Sequence, residues 1–128
     1  PRMLVLDEPA AGLDPKARAE FLELIRAFHD QDEMSIVMVS HSMDDLARLC
    51  DRIAVMNEGR LFAVDTPAEI FLRGPELKSI GLGRPAAQRL AETLQAQGLP
   101  LDADVLYDEP TLARAIADVR ARAKAVTR

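Results

Sequence analysis

Four apolar residues, Met3 to Leu6, run without interruption into two acids, Asp7 and Glu8, within the opening stretch PRMLVLDEPAAGLDP. A short unbroken apolar run is the pattern of a strand buried on both faces, because no position along it is left for water. An acid at the end of such a strand is costly unless its charge finds a partner. A magnesium ion is one such partner, held by a carboxylate directly or through water. Successive strand side chains alternate between faces, so Glu8 would be aimed differently from Asp7 and could polarise a water molecule. The competing reading of Asp7, Glu8 and Pro9 is plainer: a strand running out into a turn.

The residues that follow have their own local logic. Pro9, Gly12 and Pro15 punctuate a loop. Asp14 before Pro15 predicts a helix start, with a capping carboxylate followed by a proline that needs no amide partner. Phe21, Leu24, Ile25 and Phe28 recur at helical spacing and predict an amphipathic helix. Residues 35–40 (SIVMVS) predict a second buried strand. Ser42 is placed to cap the next helix, with Asp44 and Asp45 as acids favoured near a helix start. Arg52 to Met56, the turn NEG and Arg60 to Asp65 predict a β-hairpin. The order strand, helix, strand, helix, hairpin indicates an α/β layer, with parallel strands first and an antiparallel edge after.

Past residue 65 the character changes. Thr66, Pro67 and Glu69 make a capping-box start. Gly74 and Pro75 are expected to break that helix, GLGRP (81–85) to form a loop, and residues 86–97 to form another helix with Leu90, Ala91 and Leu94 on its apolar face. A last Ala- and Arg-rich helix is expected from about Thr111. Residues 1–65 therefore read as part of an α/β unit, and 66–128 as a smaller helical extension.

Composition excludes several classes. At 128 residues the chain holds about one ordinary core. A net charge of −5 argues against binding nucleic acid by phosphate neutralisation. Cys50 is the single cysteine, which fits a reducing cytoplasm and a small packed residue on a helix. No apolar run is long enough to span a bilayer as a helix.

Together, LVLDEPAAGLDP and, about thirty residues on, IVMVSHSMDDLARLCDRIAVMNEGRL resemble the ATP-binding subunit of an ABC transporter. Met3–Glu8 is similar to the Walker B strand, which implies Asp7 as the magnesium ligand and Glu8 as the catalytic base. Residues 11–14 (AGLD) resemble the D-loop, which reaches across the nucleotide dimer interface and implies that Asp14 couples two nucleotide sites. His41 corresponds to the switch histidine that contacts the γ-phosphate. The hairpin resembles the closing hairpin of the family. The implied fold is a partial P-loop NTPase-type parallel sheet with flanking helices, a C-terminal β-hairpin and a small helical domain. The implied cofactors are ATP and Mg²⁺. The implied partners are a second ATPase subunit and integral membrane transporter subunits, with the protein on the cytoplasmic face of the membrane.

The tail, TPAEIF to AETLQAQG, resembles the C-terminal region of energy-coupling-factor ATPases, which import cobalt, nickel or vitamins. That resemblance implies a pairing role for 66–128. VLYDEP (105–110) echoes the opening, but helically spaced Leu112, Ile116 and Val119 follow it directly. It reads as a helix start with Pro110 in the first turn, not as a second site.

A phosphate loop needs glycines whose amides turn inward and a lysine for the phosphates. None of the six glycines (12, 59, 74, 81, 83 and 98) precedes a lysine. The family's signature sequence and Q-loop are also missing, and the chain starts at Pro1. The expectation is therefore the C-terminal half of a longer subunit, inactive and unable to bind ATP tightly by itself, with an apolar strand that invites pairing. The alternative is a non-catalytic dimerisation module in which the motifs are remnants.

Overall fold

The computed structural model describes residues 2–126, apart from the side chain of Asp32. Pro1, where the expected break in the chain falls, and the last two residues of the predicted helical extension lie outside the described residues. The opening apolar run forms β1 (Met3–Asp7), which pairs in parallel with β2 (Ser35–Val39). Parallel neighbours need a crossover, and α1 (Pro15–Asp32) supplies it. Asp14 Oδ1 accepts from the amides of Lys16 and Ala17, each at 3.0 Å, as the sequence predicts.

The inward stripe of α1 differs from the predicted one. Leu22 and Ile25 are buried, Phe21 and Phe28 half-buried, and Leu24 is 50% exposed. At roughly 100° per residue, Leu24 lies that far round the helix from Ile25, whereas Leu22 is about 60° away. Leu22 therefore completes the stripe in its place.

Ser42 caps α2 (Met43–Leu49), its hydroxyl accepting from the Asp45 amide at 3.3 Å. Cys50 closes that helix half-buried, and burial pushes its thiol up. Strands β3 (Ile53–Asn57) and β4 (Arg60–Asp65) form the hairpin. Glu58 (φ 50°) and Gly59 (φ 73°) are both left-handed, as a two-residue turn matching the strand twist requires. The hairpin is a separate two-stranded sheet and not an antiparallel edge of the first one. Between β2 and β3 lies a cleft of about 730 Å³ lined by Ile36, Met38, Ile53 and Val55.

Helices α3 (Pro67–Leu72) and α4 (Gly74–Ser79) roof the first core, where Ile70, Phe71 and Leu77 join Leu46, Ile53 and Val55. Thr66 Oγ1 accepts from the Glu69 amide at 3.3 Å, but the reciprocal half of the capping box is missing. The Thr66 amide donates instead to Asp65 Oδ1 at 2.9 Å, a nearer acceptor. Gly74 and Pro75 end one helix only to begin the next. A Cβ on Gly74 would collide with Nε of Arg84, so the residue makes room for that guanidinium, which pairs with Glu92.

The second core joins α5 (Ala86–Ala96), a 3₁₀ turn (Ala103–Val105) and α6 (Glu109–Val126) around Ala87, Ala91, Leu101 and Leu112. Leu94, Ile116 and Val119 pack against it as predicted, whereas Leu90 is 50% exposed. Asp108 Oδ1 accepts from the Thr111 amide at 2.8 Å, so the echoed DEP is a helix start. Tyr107, next in the chain to Leu106 of the second core, packs against the first core, its ring 5.8 Å from that of Phe71. The two cores meet at buried Gln88 of α5, whose Nε2 donates to the Phe71 carbonyl at 3.2 Å.

The parallel pair is not buried on both faces, as its sequence predicts. Leu4, Leu6, Ile36 and Met38 are half-buried on one face, while Met3, Val5, Val37 and Val39 on the other are 49–66% exposed. That second face stays largely open to solvent.

Candidate functional site

The register of the parallel pair sets Asp7 beside Val39, so both strands end at one level. One more ladder bond follows, from the Glu8 amide to the Val39 carbonyl at 2.8 Å. There the chain turns sharply. Glu8 adopts a left-handed conformation (φ 44°), and its carbonyl accepts from the Ala11 amide at 3.1 Å. A left-handed residue other than glycine costs about 1–3 kcal/mol and persists where its surroundings hold it; such strain concentrates at functional positions. Glu8 is thus turned aside from Asp7 by this bend, past the strand end, and not by the simple alternation expected from sequence.

The bend brings the Glu8 carboxylate to His41, which follows β2. Oε1 of Glu8 meets Nδ1 of His41, although the residues lie 33 positions apart. With a proton on Nδ1 the imidazole donates to the carboxylate, leaving Nε2 on a ring that is 88% exposed. A carboxylate and an imidazole in contact at an open strand end can hold and pass a proton, or orient a water. The Ser42 amide donates to Ser40 Oγ at 3.0 Å and braces the backbone around His41.

The other two predicted residues stand nearby in the chain without joining this pair. Asp7 is exposed at the end of β1. Asp14 is committed through Oδ1 to capping α1, and no hydrogen bond among the described residues links it to Glu8 or His41. Among the described residues no group of three or more His, Cys, Asp or Glu side chains is arranged to hold a metal ion. Magnesium usually keeps several waters and needs only one or two carboxylates, so an exposed Asp7 at a strand end fits that role. The sequence holds no glycine-rich phosphate loop, because no glycine is followed by lysine.

Two acids carry contacts that their local sequence does not announce. Asp45 is buried and paired with Arg18 of α1, and Asp44 Oδ1 accepts from the Ala86 amide at 2.8 Å. Both read from sequence as acids favoured by the helix dipole. Their partners lie 27 and 42 positions away, beyond any local pattern. His29, given no role from sequence, places Nδ1 3.0 Å from the Met34 carbonyl and Nε2 3.2 Å from Asp51 Oδ2. The hydrogen bond to Met34 raises its pKa above 6.5, against some desolvation and with help from Asp51 and Asp30.

No helix among the described residues is long and apolar enough to cross a membrane. No protein-family model matches the chain. Curated relatives do. The energy-coupling factor transporter ATP-binding protein EcfA2 of Symbiobacterium thermophilum is 48% identical over 120 residues, covering 94% of this chain and 40% of that protein. EcfA2 of Caldanaerobacter subterraneus is 45% identical, over 85% of this chain and 38% of its own. EcfA2 of Clostridioides difficile is 41% identical, over 95% of this chain and 43% of its own.

Among solved structures, cbiO1 of Clostridium perfringens, part of the ABC transporter complex cbiONQ, superposes with a TM-score of 0.54 at 29% identity. The match covers 74% of this chain and 37% of cbiO1. An inward-facing ABC transporter gives a TM-score of 0.55 at 18% identity, over 62% of this chain and 31% of its own, and shows the fold alone. In sequence the chain is similar to the ATP-binding proteins of energy-coupling-factor transporters and in fold to ABC-transporter ATPases, and it spans about two fifths of the length of the curated relatives it matches.

Proposed function

We propose that this chain is the metal-and-water side of an ATP-hydrolysing subunit that energises an ABC-type importer. The observation that supports this most is the contact between Glu8 and His41 at the ends of two parallel strands. In this reading Glu8 is the general base toward the attacking water, and His41 orients it and senses the γ-phosphate. Asp7 holds Mg²⁺ directly or through water, and Asp14 stands on the segment that meets a second nucleotide site. When bound, Mg²⁺ neutralises charge on the transferring phosphoryl group. ATP requires a phosphate-binding loop from elsewhere, because preorganised amides and a lysine do most of the work in phosphoryl transfer.

The names of the relatives support a transporter of the energy-coupling-factor kind; import of a metal ion or vitamin rests on the resemblance of the C-terminal tail to that branch. The partners in this reading are a second ATPase subunit and integral membrane subunits, with no nucleic acid. The location is the cytoplasmic face of the membrane. Residues 1–65 carry the ATPase motifs, and 66–128 form a helical extension that serves subunit pairing.

A second reading is favoured by one observation, the apolar face of Met3, Val5, Val37 and Val39. It makes the chain an association module in which the acids are remnants. Hydrolysis measured on Glu8→Gln, in a polypeptide carrying this segment together with a phosphate-binding loop, separates the two. Loss of turnover with binding retained supports the first reading, and unchanged turnover supports the second.

A further inference from the structure

Helix α5 lacks a cap of its own. The residue before it is Pro85, whose ring offers no hydrogen-bond acceptor to the first free amides. The acceptor comes from Asp44, in the first turn of α2. An ionised carboxylate at a helix start gains from the dipole as well as from the hydrogen bond. This contact therefore ties α2 to the C-terminal helices.

Both ends of that tie are firmly held. On the far side, Arg84 is paired with Glu92 and buried Gln88 bonds the Phe71 carbonyl, which fixes the start of α5. On the near side, Asp45 is paired with Arg18 and bonded through its amide to Ser42. The Ser42 amide in turn bonds Ser40. His41 lies between these two serines, three residues before Asp44. The backbone from Ser40 to Asp45 is thus a hydrogen-bonded unit, and moving Asp44 moves the segment that carries His41.

We propose that Asp44 is a positioning residue: by capping α5 it anchors α2, and with it His41, to the C-terminal helices, so that the placement of His41 against Glu8 depends on the docking of those helices. The functional meaning of this dependence rests on the reading of Glu8 and His41 as the working pair.

The test uses the 128-residue chain, with NMR signals of the His41 ring and the Glu8 carboxylate as reporters. Asp44→Ala removes the acceptor, and Asp44→Asn keeps an acceptor oxygen without the charge. Ala86→Pro removes the donor from the other side. Proline is at home in the first helical position, and the ψ of 150° at Pro85 suits a residue before proline.

Asp44→Ala and Ala86→Pro are expected to shift the His41 and Glu8 signals in the same direction, and the double variant no further than either. Asp44→Asn should stay near the parent. In Asp44→Ala the Ala86 amide should exchange about fivefold faster, the worth of one ordinary hydrogen bond. Unmoved His41 signals in Asp44→Ala and Ala86→Pro would overturn the proposal. So would shifts in Asp44→Ala and Asp44→Asn with none in Ala86→Pro, which would mark a through-space charge effect. Should Asp44→Ala fail to fold, Asp44→Asn and Ala86→Pro decide the matter between them. None of these readouts requires hydrolysis, so the role of Glu8 in turnover can fail separately.

Discussion

Nδ1 of His41 stands against Oε1 of Glu8, joining residues 33 positions apart at the common end of β1 and β2. Three features produce the contact. The parallel register stops both strands together, the Glu8 amide adds one bond to the Val39 carbonyl, and the left-handed turn at Glu8 swings its side chain off the strand line. The contact therefore forms where both strands end, at the mouth of the sheet.

The Arg18–Asp45 pair should be strongly asymmetric to mutation. The Asp45 side chain is 8% exposed and that of Arg18 35%. Arg18→Ala strands a buried carboxylate and should destabilise the chain by about 1–3 kcal/mol. Arg18→Ala and Asp45→Ala together should cost less than Arg18→Ala alone. Denaturant unfolding of the two single variants and the double variant gives the comparison, and additive losses would count against the pair.

His29 should make stability depend on pH. Its two ring nitrogens face two acceptors, the Met34 carbonyl and Asp51, and only the doubly protonated ring donates to both. The folded pKa is raised above 6.5, chiefly by the Met34 carbonyl, so the contribution is complete below about pH 6.5 and fades as pH rises through the raised value. An NMR titration should place His29 above 6.5, and Asp51→Asn should lower it. His29→Gln should flatten the dependence of unfolding on pH in that window. A titration at or below 6.5 would contradict the geometry.

Phe71 is fully buried in the first core, its ring 5.8 Å from that of Tyr107, and its carbonyl accepts from Gln88 of α5. Phe71→Ala should cost about 3–5 kcal/mol. The loss should appear in both cores at once, as faster amide exchange around Ile53 and around Ala91. Exchange confined to the first core would show that the cores unfold independently.

The apolar face of the parallel pair should drive self-association of the isolated chain. Val5 and Val37 are register partners, exposed by 66% and 49%. A charge at either position makes that face costly to bury. Light scattering should give a species larger than 14.1 kDa for the parent and a smaller one for Val5→Lys. A monomeric parent would contradict the prediction.

Much of this was legible locally. The caps at Asp14, Ser42 and Thr66, the left-handed hairpin turn and the strand that carries Asp7 all follow from residue types a few positions apart. So does the helix start hidden in the echo at 108–110. The missing pieces depend on distance in sequence. Asp44 and Asp45 look like ordinary helix-start acids until α5 and α1 arrive beside them, and His29 has no visible purpose until the start of β3 is placed. Likewise, the apolar pattern of β1 specifies two faces fit for burial without saying what covers each. The order of motifs marks Glu8 and His41 separately, whereas their contact depends on the turn at Glu8, which the sequence marks with no glycine.

In the proposed function Glu8 acts on water at an ATP site. The most direct measurement is steady-state hydrolysis together with equilibrium ATP binding, for the parent and for Glu8→Gln, in a polypeptide that carries this segment and a phosphate-binding loop. Loss of a general base lowers turnover by about a hundredfold or more, while Gln keeps the shape and leaves binding intact. Retained turnover in Glu8→Gln, with binding unchanged, would contradict the role of Glu8 as the base.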